Sequence, residues 1–351
     1  MTRHYFLGGN TPKGFCSYYD YLIDSEKAKK VYIIKGGPGT GKSIIMKSAA
    51  TWGKDNGFDV DFLHCSSDPD SLDGIIIDGD IAMVDGTSPH IVDPKNPGCV
   101  ETIVNMGDYW DEARLRENKE EIIEINKQIK KHFAEAYNYL AAAGSIYKNI
   151  PEFSDYKIAK TIFDESAGGE SHYGKGKKRK LFASAIGPVG TVSFTDTLTL
   201  KNCYVLQTDF DKGSGGIMRK IAQIFFENGY DTEIFYHPLA PDELIEHICV
   251  PEKEISIITS IGCSNITDAD ACVINIDEIM HINTCSKNYI HDKLMTDTLV
   301  KEAVGIIAKA KQKHDELESC YIPCMDFESV SKCAKRVIED IKNNKSRKGD
   351  I

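Results

Sequence analysis

The chain repeats itself, and that fact constrains its architecture more than any other. RHYFLGGNTPKGFCSYYDYL, from Arg3, aligns without a gap on RKLFASAIGPVGTVSFTDTL, from Arg179. Phe6 falls on Phe182, Pro12 on Pro188, Gly14 on Gly190, Ser17 on Ser193, Asp20 on Asp196 and Leu22 on Leu198. Farther on, Tyr32-Ile33-Ile34 matches Tyr204-Val205-Leu206, and Asn56-Gly57-Phe58-Asp59 matches Asn228-Gly229-Tyr230-Asp231. Ile81 to Val84 matches Ile255 to Ile258, and Ala159-Lys160 matches Ala334-Lys335. Self-similarity at a nearly fixed spacing means one fold used twice. The expected organisation is a first domain over 1–168 and a second over 179–345. Between them, AGGESHYGKGKKRK at 167–180 has the glycine and lysine content of an interdomain linker. Its basic run, Lys175 to Lys180, reads as a solvated stretch before it reads as an anion-binding one.

Within each copy, short apolar runs alternate with helical patterns. Strands are expected at Val31–Lys35, Val60–His64 and Ile81–Asp85, with a helix after the first that stops at Asn56-Gly57. That order predicts an α/β fold in which each copy is a mainly parallel sheet flanked by helices. From Trp110 to about Ala143 apolar residues recur at three- and four-residue steps (Leu115, Ile122, Ile125, Ile129, Phe133, Ala136, Leu140). This helical insertion suits either packing on the matching segment, His291 to Cys320, or service as a lid.

The strand Val31–Lys35 runs into GGPGTGKS, Gly36 to Ser43, which opens a helix. A strand, G-x-x-x-x-G-K-[ST] and a helix together are the context in which this spacing carries chemistry. Gly36, Gly37, Gly39 and Gly41, with Pro38 and Thr40 between them, let backbone N–H groups approach a phosphate without an intervening Cβ. The helix start, through Ile44, aims its positive end at the same anion. Lys42 is positioned for the β- and γ-phosphates, and the Ser43 hydroxyl for Mg²⁺. The expected ligand is therefore a nucleotide with its metal.

Such a site needs a carboxylate at the end of a neighbouring strand to order the metal's water shell. Asp85 ends a strand present in both copies and precedes Gly86-Thr87-Ser88, whereas Asp78 precedes Gly79 and reads as a turn. Asp85 is the assignment, shared with Ser43 as a metal ligand and with Lys42 as a catalytic group. The second copy has TDFDKGSG, Thr208 to Gly215, opposite the loop, so Ser214 replaces Lys42, Gly215 replaces Ser43 and Thr259 replaces Asp85. That copy is expected to be degenerate, with Lys212 and the helix start able at most to hold an anion. The two copies are expected to pair within the chain, Arg219 being the first cation to consider as reaching across. His64 and Cys65, at a strand end, are weaker candidates for acceptor binding or nucleophilic chemistry.

Composition removes several classes. A net charge of -11 argues against general nucleic-acid binding. No apolar run reaches membrane-span length, and the first ten residues lack a signal-peptide layout. Eleven cysteines without a CxxC pair read as reduced, cytoplasmic thiols.

The segment GGPGTGKS resembles the Walker A motif of P-loop ATPases, especially the AAA and RecA/KaiC-like groups. With HYFLGGNTPKGF, HCSSDPDSLDG and VDGTSPH, the layout is also similar to a bacterial family of tandem-duplicated P-loop ATPase-like proteins. The resemblance implies ATP and Mg²⁺ at Gly36 to Ser43, and Asp85 as the Walker B acid. Many such ATPases carry Glu directly after that Asp; here Gly86 stands there, so the hydrolytic base is unassigned and slow turnover is expected. The leading expectation is a Mg²⁺-dependent ATPase coupled to a partner or ligand. The alternatives are a small-molecule kinase, closed by Arg114 or Arg116, and a nucleotide sensor that does not hydrolyse.

Overall fold

The computed structural model describes residues 2–210, 212–261, 271–280 and 287–346. The first half runs β1 (Thr2–Tyr5), β2 (Gly8–Thr11), β3 (Gly14–Ser17), β4 (Lys30–Lys35), α1 (Lys42–Asp55), β5 (Val60–Cys65), β6 (Asp68–Ile77), β7 (Ile81–Asp85) and β8 (Glu101–Asn105). Helices α2 (Glu112–Glu117), α3 (Lys119–Tyr147) and α4 (Tyr156–Ala167) follow. The second half repeats the order: β9 (Lys178–Leu181), β10 (Ser184–Gly187), β11 (Gly190–Ser193), β12 (Asn202–Thr208), α5 (Gly215–Glu227), β13 (Thr232–Tyr236), β14 (Ile245–Val250), β15 (Ile255–Ile261) and β16 (Cys272–Asn275). It closes with α6 (Ile276–Met280), α7 (Lys287–Tyr321) and α8 (Phe327–Ser346).

The two sheets have one topology. The first is ordered β1-β5-β6-β7-β4-β8 and the second β9-β13-β14-β15-β12-β16. In each, one strand (β6 or β14) runs antiparallel to both neighbours while the other pairings are parallel. The sheet is thus mixed. The reversed strand comes from the stretch after His64, where Asp68 to Leu72 is too polar to look like a strand. It returns through Asp78 (φ 52°) and Gly79 (φ 67°), the turn before β7.

The halves meet about a pseudo-two-fold axis. Phe6 and Phe182, equivalent in the repeat, donate backbone N–H bonds to each other's carbonyls at 2.9 and 3.0 Å. A residue paired with its own copy marks the axis of an isologous contact. Beside it, Arg3 and Arg179 share the Glu233 carboxylate, and Arg3 also grips Asp61, the equivalent of Glu233. The Tyr5 hydroxyl donates to Asp61 at 2.8 Å. Four charges of both signs sit partly to fully buried against one another here, satisfied by paired geometry, as burial of charge demands.

The carboxy-terminal helices are exchanged. From the first half, α4 packs on α5 of the second, Phe163 meeting Phe225 edge-on at 5.1 Å. From the second half, α8 covers α1, burying Val330, Cys333, Val337 and Ile341 against Ile45, Met46, Ala49 and Ala50. Helices α3 and α7 run antiparallel, with Ile125 against Leu317 and Cys320 at one end and Ala143 near Ala303 and Ile307 toward the other. The stripe from Trp110 therefore serves packing. The segment 167–180 also carries fixed contacts, since His172 N–H bonds Asn228 and the Lys177 ammonium pairs with Asp24 and Glu26. Among the described residues no helix is long and apolar enough to cross a membrane.

Candidate functional site

Strand β4 lies between β7 and β8 with all three parallel, so their carboxyl ends open on the same edge of the sheet. The loop from Gly36 to Gly41 leaves that edge and turns into α1. Two glycines take backbone conformations that an L side chain resists: Gly39 at φ 67° and Gly41, the N-cap of α1, at φ 90°. Pro38 stands between Gly37 and Gly39, and Thr40 is buried, its hydroxyl donating to the Gly37 carbonyl at 2.8 Å. Ile44, in the first turn of the helix, is exposed.

Lys42 folds back over the loop, and its ammonium donates to the carbonyls of Gly36 (2.9 Å) and Gly37 (2.6 Å). It also lies 3.5 Å from Asp85 Oδ2. Register explains the meeting, because Asp85 is paired with Ile34, two residues before the loop. Asp85 Oδ1 accepts from the Thr87 N–H at 2.8 Å, while the Thr87 hydroxyl donates to the Gly36 carbonyl at 2.9 Å. Thr87 thus ties the loop after β7 to the glycine loop. Ser43 Oγ accepts from the Leu72 N–H at 3.2 Å and faces β6. Asp78 sits elsewhere, paired with Lys345 of α8 at 3.1 Å.

The second half covers this loop. A Cβ on Gly37 would come within 2.8 Å of the Tyr321 ring, and one on Gly39 within 2.9 Å of Ile322. Glu318, Tyr321 and Ile322 close over the glycines at the end of α7, and Phe327 and Val330 of α8 approach Gly41. Two turns before Glu318, Lys311 reaches Asp68 at 3.4 Å. Burial pushes the His314 imidazole below its ordinary range, with Lys42 among the nearby cations that oppose its protonation. These α7 groups escape sequence reading, because the exchange that brings them here leaves no local pattern.

Arg219 does reach across between the halves, but to Glu152 of the first half and not to the glycine loop, and it also donates to the Glu243 carbonyl at 3.2 Å. Arg114 donates to the Pro323 carbonyl at 2.8 Å, and Arg116 pairs with Glu112 on its own helix. His64 is used in the interface between halves. It bonds His4 at 2.8 Å and the Pro69 carbonyl at 2.7 Å, stacks near Phe194, and is pushed by burial to about 4. Cys65 turns instead toward Asp73 and His90.

The matching place in the second half differs in kind. None of Gly213, Gly215 and Gly216 has a left-handed φ, and a Cβ on Gly213 would strike the Thr208 hydroxyl at 2.4 Å. Asp211 lies outside the described residues. Thr259 pairs with Leu206 just as Asp85 pairs with Ile34. Lys212, Ser214, Gly215, His237, Glu246 and Thr259 line a cavity of about 10 Å³. Burial raises the Glu246 carboxyl to about 7, although the Ser184 hydroxyl donates to it. A carboxyl facing the helix start is the wrong charge partner for a phosphate. No family model, curated protein or solved structure matches this chain.

Proposed function

We propose that this protein binds ATP with Mg²⁺ at Gly36 to Ser43 and hydrolyses it slowly in a cytosolic setting. On this reading each half is a P-loop NTPase-like domain and the second is degenerate. The observation that carries the proposal is the meeting of Lys42, the Gly36 and Gly37 carbonyls and Asp85 at one sheet edge. The fit to a polyphosphate rests on two left-handed glycines before a helix start, with a lysine and a strand-end carboxylate converging on them. The metal would be held by the Ser43 hydroxyl and the water shell ordered by Asp85. When bound, Mg²⁺ neutralises charge on the phosphate oxygens.

In this chain's own residues, Lys42 would exchange two loop carbonyls for phosphate oxygens, which frees the Gly36 and Gly37 peptides to adjust. Those peptides touch Tyr321 and Thr87. Occupancy of the loop is thereby coupled to the end of α7, the second half's part in the site. Gly86 follows Asp85 and supplies no carboxylate for water, which supports slow turnover. The geometry favours the ATPase reading over the kinase, since His64 is engaged by His4 and Arg114 by Pro323.

The test is calorimetric binding of Mg²⁺-ATP together with phosphate release in the absence of any acceptor. Wild-type chain should bind and release phosphate, and Lys42→Ala should lose at least about 100-fold in affinity, as expected for removing a charge-assisted contact in a desolvated loop. Undiminished binding by a folded Lys42→Ala chain would remove the site.

A further inference from the structure

We propose that Cys65, Asp73 and His90 form a second metal site, one for a divalent transition metal of the zinc type. The three come from separate places: the last residue of β5, the middle of β6, and the loop after β7. Their donor atoms all lie within 4.8 Å of one another. His90 Nε2 is 3.3 Å from Asp73 Oδ2. Zinc bonds of about 2.0–2.3 Å in tetrahedral geometry place neighbouring donors roughly 3.4 Å apart. The imidazole–carboxylate edge therefore has the required span already, and the Cys65 sulfur needs a shift of no more than about 1 Å.

The donor set selects the metal. One thiolate, one imidazole and one carboxylate suit zinc and its transition-metal neighbours, and the sulfur and nitrogen disfavour Mg²⁺ or Ca²⁺. The surroundings match a built site. Asp73 and His90 are 5% and 7% exposed. The Phe15 and Tyr19 rings flank the His90 imidazole with centroids at 5.1 and 5.0 Å. The Tyr19 hydroxyl donates to Asp73 Oδ2 at 2.9 Å, the outer contact that fixes a ligand carboxylate. Binding the cation displaces the Cys65 thiol proton to solvent, and water fills the fourth position.

The consequence reaches the glycine loop. His90 N–H bonds the Thr87 carbonyl at 2.8 Å, and Thr87 holds Gly36. A metal on His90 pins the loop that carries Thr87 to strands β5 and β6. It does so whether or not the glycine loop takes a nucleotide.

The experiment loads chelator-stripped full-length chain with Co²⁺, follows the sulfur-to-cobalt charge-transfer band, and then displaces Co²⁺ with Zn²⁺. The expected result is one metal per chain retained through gel filtration, lost in Cys65→Ser and His90→Ala and kept in Cys99→Ser, a change at an exposed thiol. Lys42→Ala should bind zinc normally, which separates this site from the nucleotide site. X-ray absorption at the zinc edge of wild-type chain, which requires no variant to fold, should read one sulfur among nitrogen and oxygen donors. No charge-transfer band in wild type, zero or several sulfurs at the edge, or full retention by folded His90→Ala would each overturn the assignment.

Discussion

Asp85 stands 3.5 Å from the Lys42 ammonium, and Asp78 stands in a turn against Lys345. Asp85→Asn should retain nucleotide binding while slowing phosphate release by about 100-fold, the scale of removing one preorganised charge contact. Asp78→Asn should change turnover little, and the reverse ranking in steady-state assays would move the acid to the other strand. Glu233 supplies a second residue-level outcome. Burial raises its carboxyl, and Arg3 and Arg179 more than offset that, holding it at about 2 against an ordinary 4.5. A depressed folded value means stability is present above the unfolded value and is lost as pH falls from about 4.5 toward 2. Glu233→Gln should cost roughly 3 kcal/mol at pH 7, by leaving buried guanidinium charge short of a partner. The gap to wild type should then close through that acid window. Denaturant midpoints that fall in parallel for both chains would count against the cluster. The strand–loop–helix turn at Gly36 to Ser43 and the strand-end position of Asp85 were legible, because glycine spacing and strand patterning mark them. Cys65, Asp73 and His90 were not legible as a group, since only the reversed strand β6 brings Asp73 between the other two.

At the scale of elements, the repeat announced that one fold is used twice, and strand patterning, the glycine motif and the Asn56-Gly57 stop located β4, β5, β7 and α1, while β6 and β8 went unannounced. It did not announce that α4 and α8 would change places. Both helices are amphipathic, and an apolar stripe says that a face is covered without saying by what. The exchange has a measurable result. Ile341 is fully buried under α1 of the other half. Ile341→Ala should cost about 2–5 kcal/mol, the range for emptying a core isoleucine site. The loss should also reduce hydrogen-exchange protection of α1, although the two residues belong to different halves. Unchanged protection of α1 would mean that the helices are not exchanged in solution. Residues 1–168 expressed alone are therefore expected to lose the proposed site, because the apolar face of Ile45, Met46 and Ala49 would lack its cover.

For the whole molecule, the pseudo-two-fold was half visible. The alignment of Phe6 on Phe182 and Arg3 on Arg179 paired residues that meet in space, but only coordinates reveal that they meet each other. Symmetry in the scaffold is combined with asymmetry at the two sheet edges. One edge has left-handed glycines, Lys42 and Asp85; the other has Glu246, Thr259 and a loop without left-handed glycines. On the proposed reading, the duplicated chain makes one nucleotide site, with the second half as its cover. Equilibrium stoichiometry of Mg²⁺-ATP on the intact chain tests this most directly. One nucleotide per chain is expected, abolished by Lys42→Ala and untouched by Lys212→Ala; two equivalent nucleotides per chain, or one that survives Lys42→Ala and disappears with Lys212→Ala, would contradict a single site in the first half.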